Sequence, residues 1–467
     1  MPVVFCGVCP HPPVMVPEVG KEQSDIVIKS RQAMLELGRR LKESGARSLV
    51  FISPHGPVFS DGIAINAGKT LKGSLKGFGA PGVRFKLQND LRLASAIDQK
   101  AHKAGIITLM MEESSARQYG VSLDLDHGIT VPLYFIREAG VDLPVAVVYM
   151  GLLPPDRLYR FGMAIGEAVE ETGEKAAVIA SGDLSHCLTE EAPGGYNPAG
   201  KEFDREIASL LGGADVMGII NLEAGLVEKA GECGLRPITI MLGALDGRRV
   251  DAEVLSYEGP FGVGYMVAAL TPGEPESGRE FGRVIGESRR SVAESRKKGE
   301  GFLPRLAREA LENYSRGGQY SISQEDIPGE FRKPAGVFVS LKKDGQLRGC
   351  IGTTLPQYGS IAEETVNNAI SAGHRDPRFL PLDPGEIDDL DISVDVLYPP
   401  EPVHGLEELD PLRYGVIVKS GRKQGLLLPN LEGIDTAQEQ VDIARQKAGI
   451  EAGAPVELER FEVIRHK

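Results

Sequence analysis

Ser48-Leu49-Val50-Phe51-Ile52-Ser53-Pro54-His55-Gly56-Pro57 is the stretch on which the fold turns. Leu49 to Ile52 is a continuous apolar run without polar alternation, the pattern of a strand buried on both faces. It ends in a Pro-His-Gly-Pro turn. Pro54 and Pro57 hold the backbone extended and stiffen a loop that aims an imidazole, and Gly56 permits close backbone approach. The same arrangement recurs upstream and downstream. Val3–Cys9 runs into Pro10-His11-Pro12-Pro13, and Ala176–Ala180 runs into Ser181-Gly182-Asp183-Leu184-Ser185-His186.

Val145–Met150 and Gly262–Leu270 are further apolar strand candidates. Helical patterns lie between the strands, at Gln23–Ser44, Arg92–Ala104, Arg157–Glu171 and Lys201–Leu211. Strands alternating with helices predict an α/β domain, a mainly parallel sheet covered by helices. Ligands bind such sheets at the carboxyl ends of the strands, so His11, His55 and His186 are expected on one edge. A fourth histidine, His127, sits in Asp126-His127-Gly128-Ile129-Thr130-Val131-Pro132-Leu133, where Gly128 again permits close approach. A lone histidine is an ordinary packed or surface residue; four of the chain's eight in such turn-rich segments form a constellation. His102, His374, His404 and His466 lack that setting. Asp124, Asp126 and Asp183 either hold an imidazole tautomer or cap turns and helices.

The composition bounds the rest. A chain of 467 residues exceeds one ordinary core and predicts two domains. With 42% hydrophobic and 25% charged residues it has the profile of a soluble globular protein. A net charge of −14 argues against a nucleic-acid partner, which requires a basic face. No apolar run approaches the roughly 20 residues that span a bilayer, and Met1–Cys9 reads as a first strand, not a leader. A cytoplasmic protein with no membrane partner is expected. The five cysteines are too few and odd in number for a disulfide framework. Cys6 and Cys9 form a C-x-x-C without a second pair to complete a zinc site, and both read as strand residues. Thr271-Pro-Gly-Glu-Pro-Glu-Ser-Gly278 is rich in chain breakers, and Phe281–Gly299 is dense in charge, a solvated helix or a linker. The expected division is therefore a domain over 1–270, a linker over 271–301 and a second domain over 302–467. The second opens with an amphipathic helix (Leu303, Leu306, Ala310, Leu311, Tyr314).

That second domain carries a strand at Gly336–Leu341, a Lys342-Lys343-Asp344-Gly345 turn, and Leu347-Arg348-Gly349-Cys350-Ile351-Gly352-Thr353. A helix over Ile361–Ala372, the segment His374-Arg-Asp-Pro-Arg-Phe-Leu-Pro-Leu382, and an alternating strand at Leu390–Leu397 follow. Cys350 beside Arg348 is either an activated thiol or a small strand residue. Arg348, Cys350 and His374 form a second candidate site. His374, Arg375, Asp376 and Arg378 with Arg348 make either a polar pocket wall or a surface ion-pair network.

In order and content, Pro-His-Pro-Pro, Ser-Pro-His-Gly, Asp-His-Gly-Ile-Thr-Val-Pro-Leu and Ser-Gly-Asp-Leu-Ser-His resemble the landmarks of the LigB-like (class III) extradiol dioxygenases and the related Memo proteins, over about residues 1–270. The resemblance implies that His11 and His55 bind Fe(II) and that His127 and His186 act in catalysis. The dioxygenases complete the site with a Glu. The Memo proteins place a Cys there, followed by Gly and then Pro-Ile. Gly231-Glu232-Cys233-Gly234-Leu235-Arg236-Pro237-Ile238 offers both, and the Cys-Gly-x-x-Pro-Ile spacing favours Cys233, with Glu232 the alternative. A thiolate suits Fe(II), Cu(I) or Zn(II) and weakens the case for ring cleavage.

Over 302–467, Arg-Gly-Cys-Ile-Gly and Asp-Pro-Arg-Phe-x-Pro-Leu resemble the AMMECR family, which implies an α+β domain. The two resemblances together match two components of the AmmeMemoRadiSam system, and imply a radical SAM protein as partner. Two functions follow. One is an Fe(II)-type oxidoreductase acting on a small aromatic diol or other bidentate substrate. The other is a Memo-like metal-binding accessory protein that cleaves no ring.

Overall fold

A computed structural model of the chain describes residues 3–343, 345–431 and 433–467. Met1 and Pro2 of the expected first-strand segment, and Asp344 of the expected turn, lie outside the described residues. The chain divides into two units, Met1–Glu287 and Ser288–Lys467.

The strands of the first unit are β1 (Val3–Cys9), β2 (Ser48–Ser53), β3 (Ile63–Asn66), β4 (Thr70–Leu75), β5 (Ala80–Gln88), β6 (Thr108–Met111), β7 (Val145–Tyr149), β8 (Ala176–Ser181), β9 (Arg248–Glu258) and β10 (Tyr265–Pro275). Among the described residues eight of them form one sheet in the order β6-β3-β7-β2-β8-β1-β10-β9, and β4 and β5 pair as a separate hairpin. The centre of the sheet, β7-β2-β8-β1, is parallel. β10 and β9 extend it antiparallel, and β3 runs antiparallel to β7.

The apolar runs are continuous because both faces are covered. Leu49 and Phe51 of β2 face a core shared with Met34 and Leu37 of the helix Ile28–Glu43 and Ile129 and Phe135 of the helix His127–Glu138. Val50 and Ile52 face the opposite core, with Leu93 and Ile97 of the helix Leu91–Lys103, Phe161 of Pro155–Thr172 and Ile238 of Leu235–Gly243. Each fully buried side chain of this size contributes about 1.5–3 kcal/mol, so the central strands are fixed from both sides. Cys6 and Cys9 point into opposite cores, and burial pushes both thiols up. Register decides where the loops emerge. Cys9 pairs with Ser181 and Ile52 with Ala180, so the residues after β1, β2 and β8 leave one edge of the sheet together.

The segment read as a linker holds regular structure. β10 continues through Thr271–Pro275, and Phe281–Gly299 is a helix. Pro272 is tolerated in the strand because the pairing of β10 with β1 ends at Leu270, leaving no partner to demand an amide on that side.

The second unit has β11 (Gly336–Lys343), β12 (Gln346–Thr353), β13 (Leu390–Leu397), β14 (Glu401–Val403), β15 (Tyr414–Ser420), β16 (Lys423–Leu427) and β17 (Glu457–His466). They form an antiparallel sheet in the order β12-β11-β13-β17-β15-β16, with β14 on β17. The helices Phe302–Ser315 and Ile361–His374 cover one face through Leu303, Leu306, Leu311, Val366 and Ala369. Among the described residues no helix is long and apolar enough to cross a membrane.

Candidate metal centre

Three side chains from three loops meet at the carboxyl edge of the parallel strands. The donor atoms of His11, His55 and Cys233 all lie within 4.8 Å of one another. His11 Nε2 stands 3.0 Å from His55 Nε2 and 3.8 Å from Cys233 Sγ. These are separations that one ion spans with bonds of about 2.0–2.1 Å to nitrogen and about 2.3 Å to sulfur.

Each donor is held by its own backbone. His11 follows β1 and is buried; its Nδ1 meets the Ser181 hydroxyl at 3.0 Å, which leaves Nε2 facing the cluster. Its amide donates to Asp183 Oδ1 at 2.9 Å, and Asp183 Oδ2 lies 3.7 Å from His11 Nε2. The His55 amide donates to Ser53 Oγ at 3.2 Å, and Ser53 Oγ donates to Asp126 Oδ1 at 2.9 Å. Cys233 belongs to the turn before the helix Leu235–Gly243. That turn can sit against the β8 loop because both chains have glycine at the crossing: a Cβ on Gly182 would lie 2.2 Å from Gly234 Cα. The Asp183 amide then donates to Cys233 Sγ at 3.2 Å, and the Cys233 amide to the Asp183 carbonyl at 3.3 Å.

Glu232, the alternative third donor, stands outside the cluster. Its Oε2 accepts the Leu235 amide at 2.5 Å, at the start of the next helix. A carboxylate at a helix N-terminus satisfies an otherwise unpaired N–H and the helix dipole, and adjacent residues of a turn cannot both face inward.

The other two histidines also come to this edge. His127 is the first residue of its helix, and its ring stacks on His55 at 4.3 Å and meets His11 edge-on at 5.2 Å. Gly128 allows this, since a Cβ there would lie 2.7 Å from Ser53 Oγ and 3.3 Å from the His55 ring. His186 is half-buried, and its Nδ1–H donates to the Gly231 carbonyl, leaving the Nε2 lone pair available.

Electrostatically the centre is short of charge compensation. Burial, reinforced by neighbouring His55, pushes His11 well below the usual histidine range. Burial and His127 take His55 to about 4, and burial and His11 take His127 to about 4. All three imidazoles are neutral at pH 7 and offer lone pairs. Burial lifts Asp183 to about 6, and burial with Asp183 beside it lifts the Cys233 thiol well above its ordinary value. Asp126, expected as a tautomer anchor or cap, stands at the N-cap position of the helix His127–Glu138; its Oδ1 accepts from Ser53 Oγ and its Oδ2 is buried without a hydrogen-bond partner. Asp124 is exposed. A set of neutral nitrogen and sulfur donors beside buried carboxyls fits a cation.

The family is legible in the sequence comparisons. The profile described as the catalytic LigB subunit of aromatic ring-opening dioxygenase matches residues 6–268. The chain belongs to the LigB family. Its C-terminal part matches the AMMECR1 profile over residues 304–466, so the protein is a LigB-type domain fused to an AMMECR1 domain. A Clostridium acetobutylicum protein is 42% identical over 465 residues, covering 98% of each chain, and so shares the fusion. A Thermotoga maritima protein is 52% identical over 160 residues, covering 34% of this chain and 92% of its own. The crystal structure of an uncharacterized Pyrococcus horikoshii protein is 34% identical, covering 35% of this chain and 88% of its own, with a TM-score of 0.32.

The second candidate site, in the AMMECR1 domain, is arranged differently. Cys350 lies on β12 opposite Ser340, with Sγ 3.3 Å from its hydroxyl. Arg348 donates to the Leu380 carbonyl and to Glu386 Oε2, both at 3.0 Å. His374 Nε2 meets Ser315 Oγ at 3.1 Å, and its ring packs on Tyr314 at 4.8 Å. Among the described residues none of the three hydrogen-bonds another. Sequence reasoning missed Ser53 and Ser181. Their signal was available, since each is the last residue of a strand leading into a histidine loop.

Proposed function

We propose that the LigB-type unit binds one metal ion through His11 Nε2, His55 Nε2 and Cys233 Sγ, and works as a Memo-like centre on a small bidentate ligand. The observation that carries this reading is the convergence of those three atoms within 4.8 Å. A two-nitrogen, one-thiolate set suits Fe(II), Cu(I) or Zn(II), and Fe(II) is the first choice because ring-opening relatives define the family. When bound, the ion would supply Lewis acidity or electron transfer. His186, with Nδ1–H committed to Gly231, takes a hydroxyl proton from the ligand at Nε2. His127, neutral and stacked against His55, orients the ligand on the other side. The fusion to an AMMECR1 domain, kept in the Clostridium acetobutylicum relative, supports a radical SAM enzyme as working partner.

A second reading, ring cleavage of an aromatic diol, is favoured by the description of the matching family. It calls for a carboxylate in the third position, which Glu232 does not occupy. Metal analysis of anaerobically purified protein, followed by oxygen uptake with a panel of catechols, separates the two. Stoichiometric metal without oxygen uptake supports the Memo-like centre. Oxygen uptake with ring-opened product replaces it with the second reading, and metal-free protein that takes up no ion removes both.

A further inference from the structure

The hairpin of β4 and β5 stands outside the eight-stranded sheet, packs Leu71, Leu75, Phe85 and Leu87 into one of its cores, and is fastened through β4 to the loop that carries His127. Gly73 of β4 bridges Leu125, and the Leu125 amide donates to the Lys72 carbonyl at 2.6 Å. A Cβ on Gly73 would lie 2.7 Å from Thr130 and 2.8 Å from Leu125, so the contact is close. Three residues further on, the tip reads Lys76-Gly77-Phe78-Gly79. Both glycines have open space around them, and Gly79 takes a left-handed φ of +83°. Between them Phe78 is 44% exposed, so much of its ring faces solvent. It leans on His127, with ring centroids 5.5 Å apart and planes at 61°. Phe78, His127 and His55 thus form a row of rings leading from solvent to the candidate metal donors.

We propose that Phe78 is the specificity-determining wall of the metal centre, stacking against the planar ring of an aromatic bidentate ligand. The inference rests on the metal-site reading above. Its half-exposed ring is then covered when the ligand arrives, and His127 lies between the wall and the donors. A ring held edge-on or offset against Phe78 gains an aromatic contact that an aliphatic chelator of equal charge cannot make.

The test uses full-length protein loaded anaerobically with Fe(II), and two oxygen chelators, aromatic 4-nitrocatechol and aliphatic acetohydroxamate. In Phe78→Ala, affinity for 4-nitrocatechol should fall about tenfold, while acetohydroxamate affinity stays within about twofold and metal content is unchanged. Phe78→Trp should restore the aromatic preference, and Phe78→Leu, apolar and of similar bulk, should not. Equal losses for both chelators would make Phe78 a packing residue under His127, and no loss for either would remove it from the site; both outcomes overturn the proposal. Wild-type protein that binds acetohydroxamate but not 4-nitrocatechol overturns the aromatic wall alone. Wild-type protein that holds Fe(II) but binds neither chelator overturns the ligand-binding reading of the centre as well.

Discussion

The two places where this chain gathers reactive side chains are held in opposite ways. In the LigB-type unit the ligand atoms of His11, His55 and Cys233 converge within 4.8 Å, and among the described residues none of the three is ion-paired with a cation. In the AMMECR1 unit the acids around the second candidate site are matched by cations. Asp376 takes Arg378 at 2.7 Å and the Cys350 amide at 3.0 Å; Glu386 takes Arg348 and Lys343; Asp395 takes Arg465 twice at 2.7 Å. Like donors converging in a buried space are costly unless something fills the gap, whereas matched pairs are already satisfied. The first arrangement is what a binding site requires, and the second is what holds a sheet together.

The largest effect should come from removing a converging donor. Cys233→Ser is expected to weaken metal binding by about a hundredfold or more, and Glu232→Gln to change it by less than about threefold, because Glu232 serves the helix start. Competition titration with a chelator of known affinity reads both. The reverse order would place the carboxylate in the centre and dissolve the contrast between the two units.

The strand-then-histidine pattern exposed most of the first site, because the carboxyl edge of a parallel sheet is a consequence of local order and register. The choice between Glu232 and Cys233 was less legible. Adjacent residues differ only in which way a turn points, and here the amide of Leu235 and the Gly182–Gly234 crossing decide it. Phe78 gave no local signal at all, since its role depends on where a hairpin tip lands. β9 was missed for a similar reason: it is a partly exposed edge strand with mixed residues, so its identity comes from pairing with β10. In the AMMECR1 unit β13 was read with its observed bounds because its alternation reflects one buried face. The bounds of the charged segment, Phe281–Gly299, are those of the helix; its anchoring to distant acids was not legible, since it depends on tertiary contact.

Those anchors supply the next prediction. Arg308 and Glu300 are both buried and paired, and Arg308 also donates to the Ile387 and Leu390 carbonyls. Arg296 and Lys297 reach Asp391 and Asp388. A fragment starting at Phe302 keeps Arg308 and loses Glu300, leaving a buried cation without its acid. It should be less stable than the 288–467 fragment by about 3–5 kcal/mol, read by urea unfolding of the two. Equal stability would show that the matched pairs of this unit carry little.

A smaller effect is expected at Asp376→Asn, about 1–3 kcal/mol. Arg378, hydrogen-bonded to it, holds the Asp376 carboxyl below the usual carboxylate range. Because the folded pKa is the lower one, the ionised group's contribution is fully present above the unfolded value of about 3.9 and is lost as the pH falls through the folded value. The stability gap between wild type and variant should therefore be constant from about pH 5 to 8 and shrink below about pH 4. A gap that persists unchanged into strong acid would mean that the carboxylate's charge is not what Arg378 and Cys350 require.

The smallest effect belongs to Cys350 itself, and it sharpens the contrast most directly. Its backbone is what the surroundings grip: the amide goes to Asp376 and the carbonyl accepts from Arg378 at 3.0 Å. Its side chain meets the Ser340 hydroxyl in a weak S···O contact at 3.3 Å across two strands. A hydroxyl in place of the thiol can make the same contact. Cys350→Ser should therefore change stability by less than about 1 kcal/mol, and metal content of the full chain not at all. The same substitution at Cys233 removes a donor from a convergent set, so one chemical change in two places should give a null result and the largest loss. A Cys350→Ser variant that lost metal, or unfolded several kcal/mol earlier, would show that the thiol has a partner which the strand geometry does not reveal.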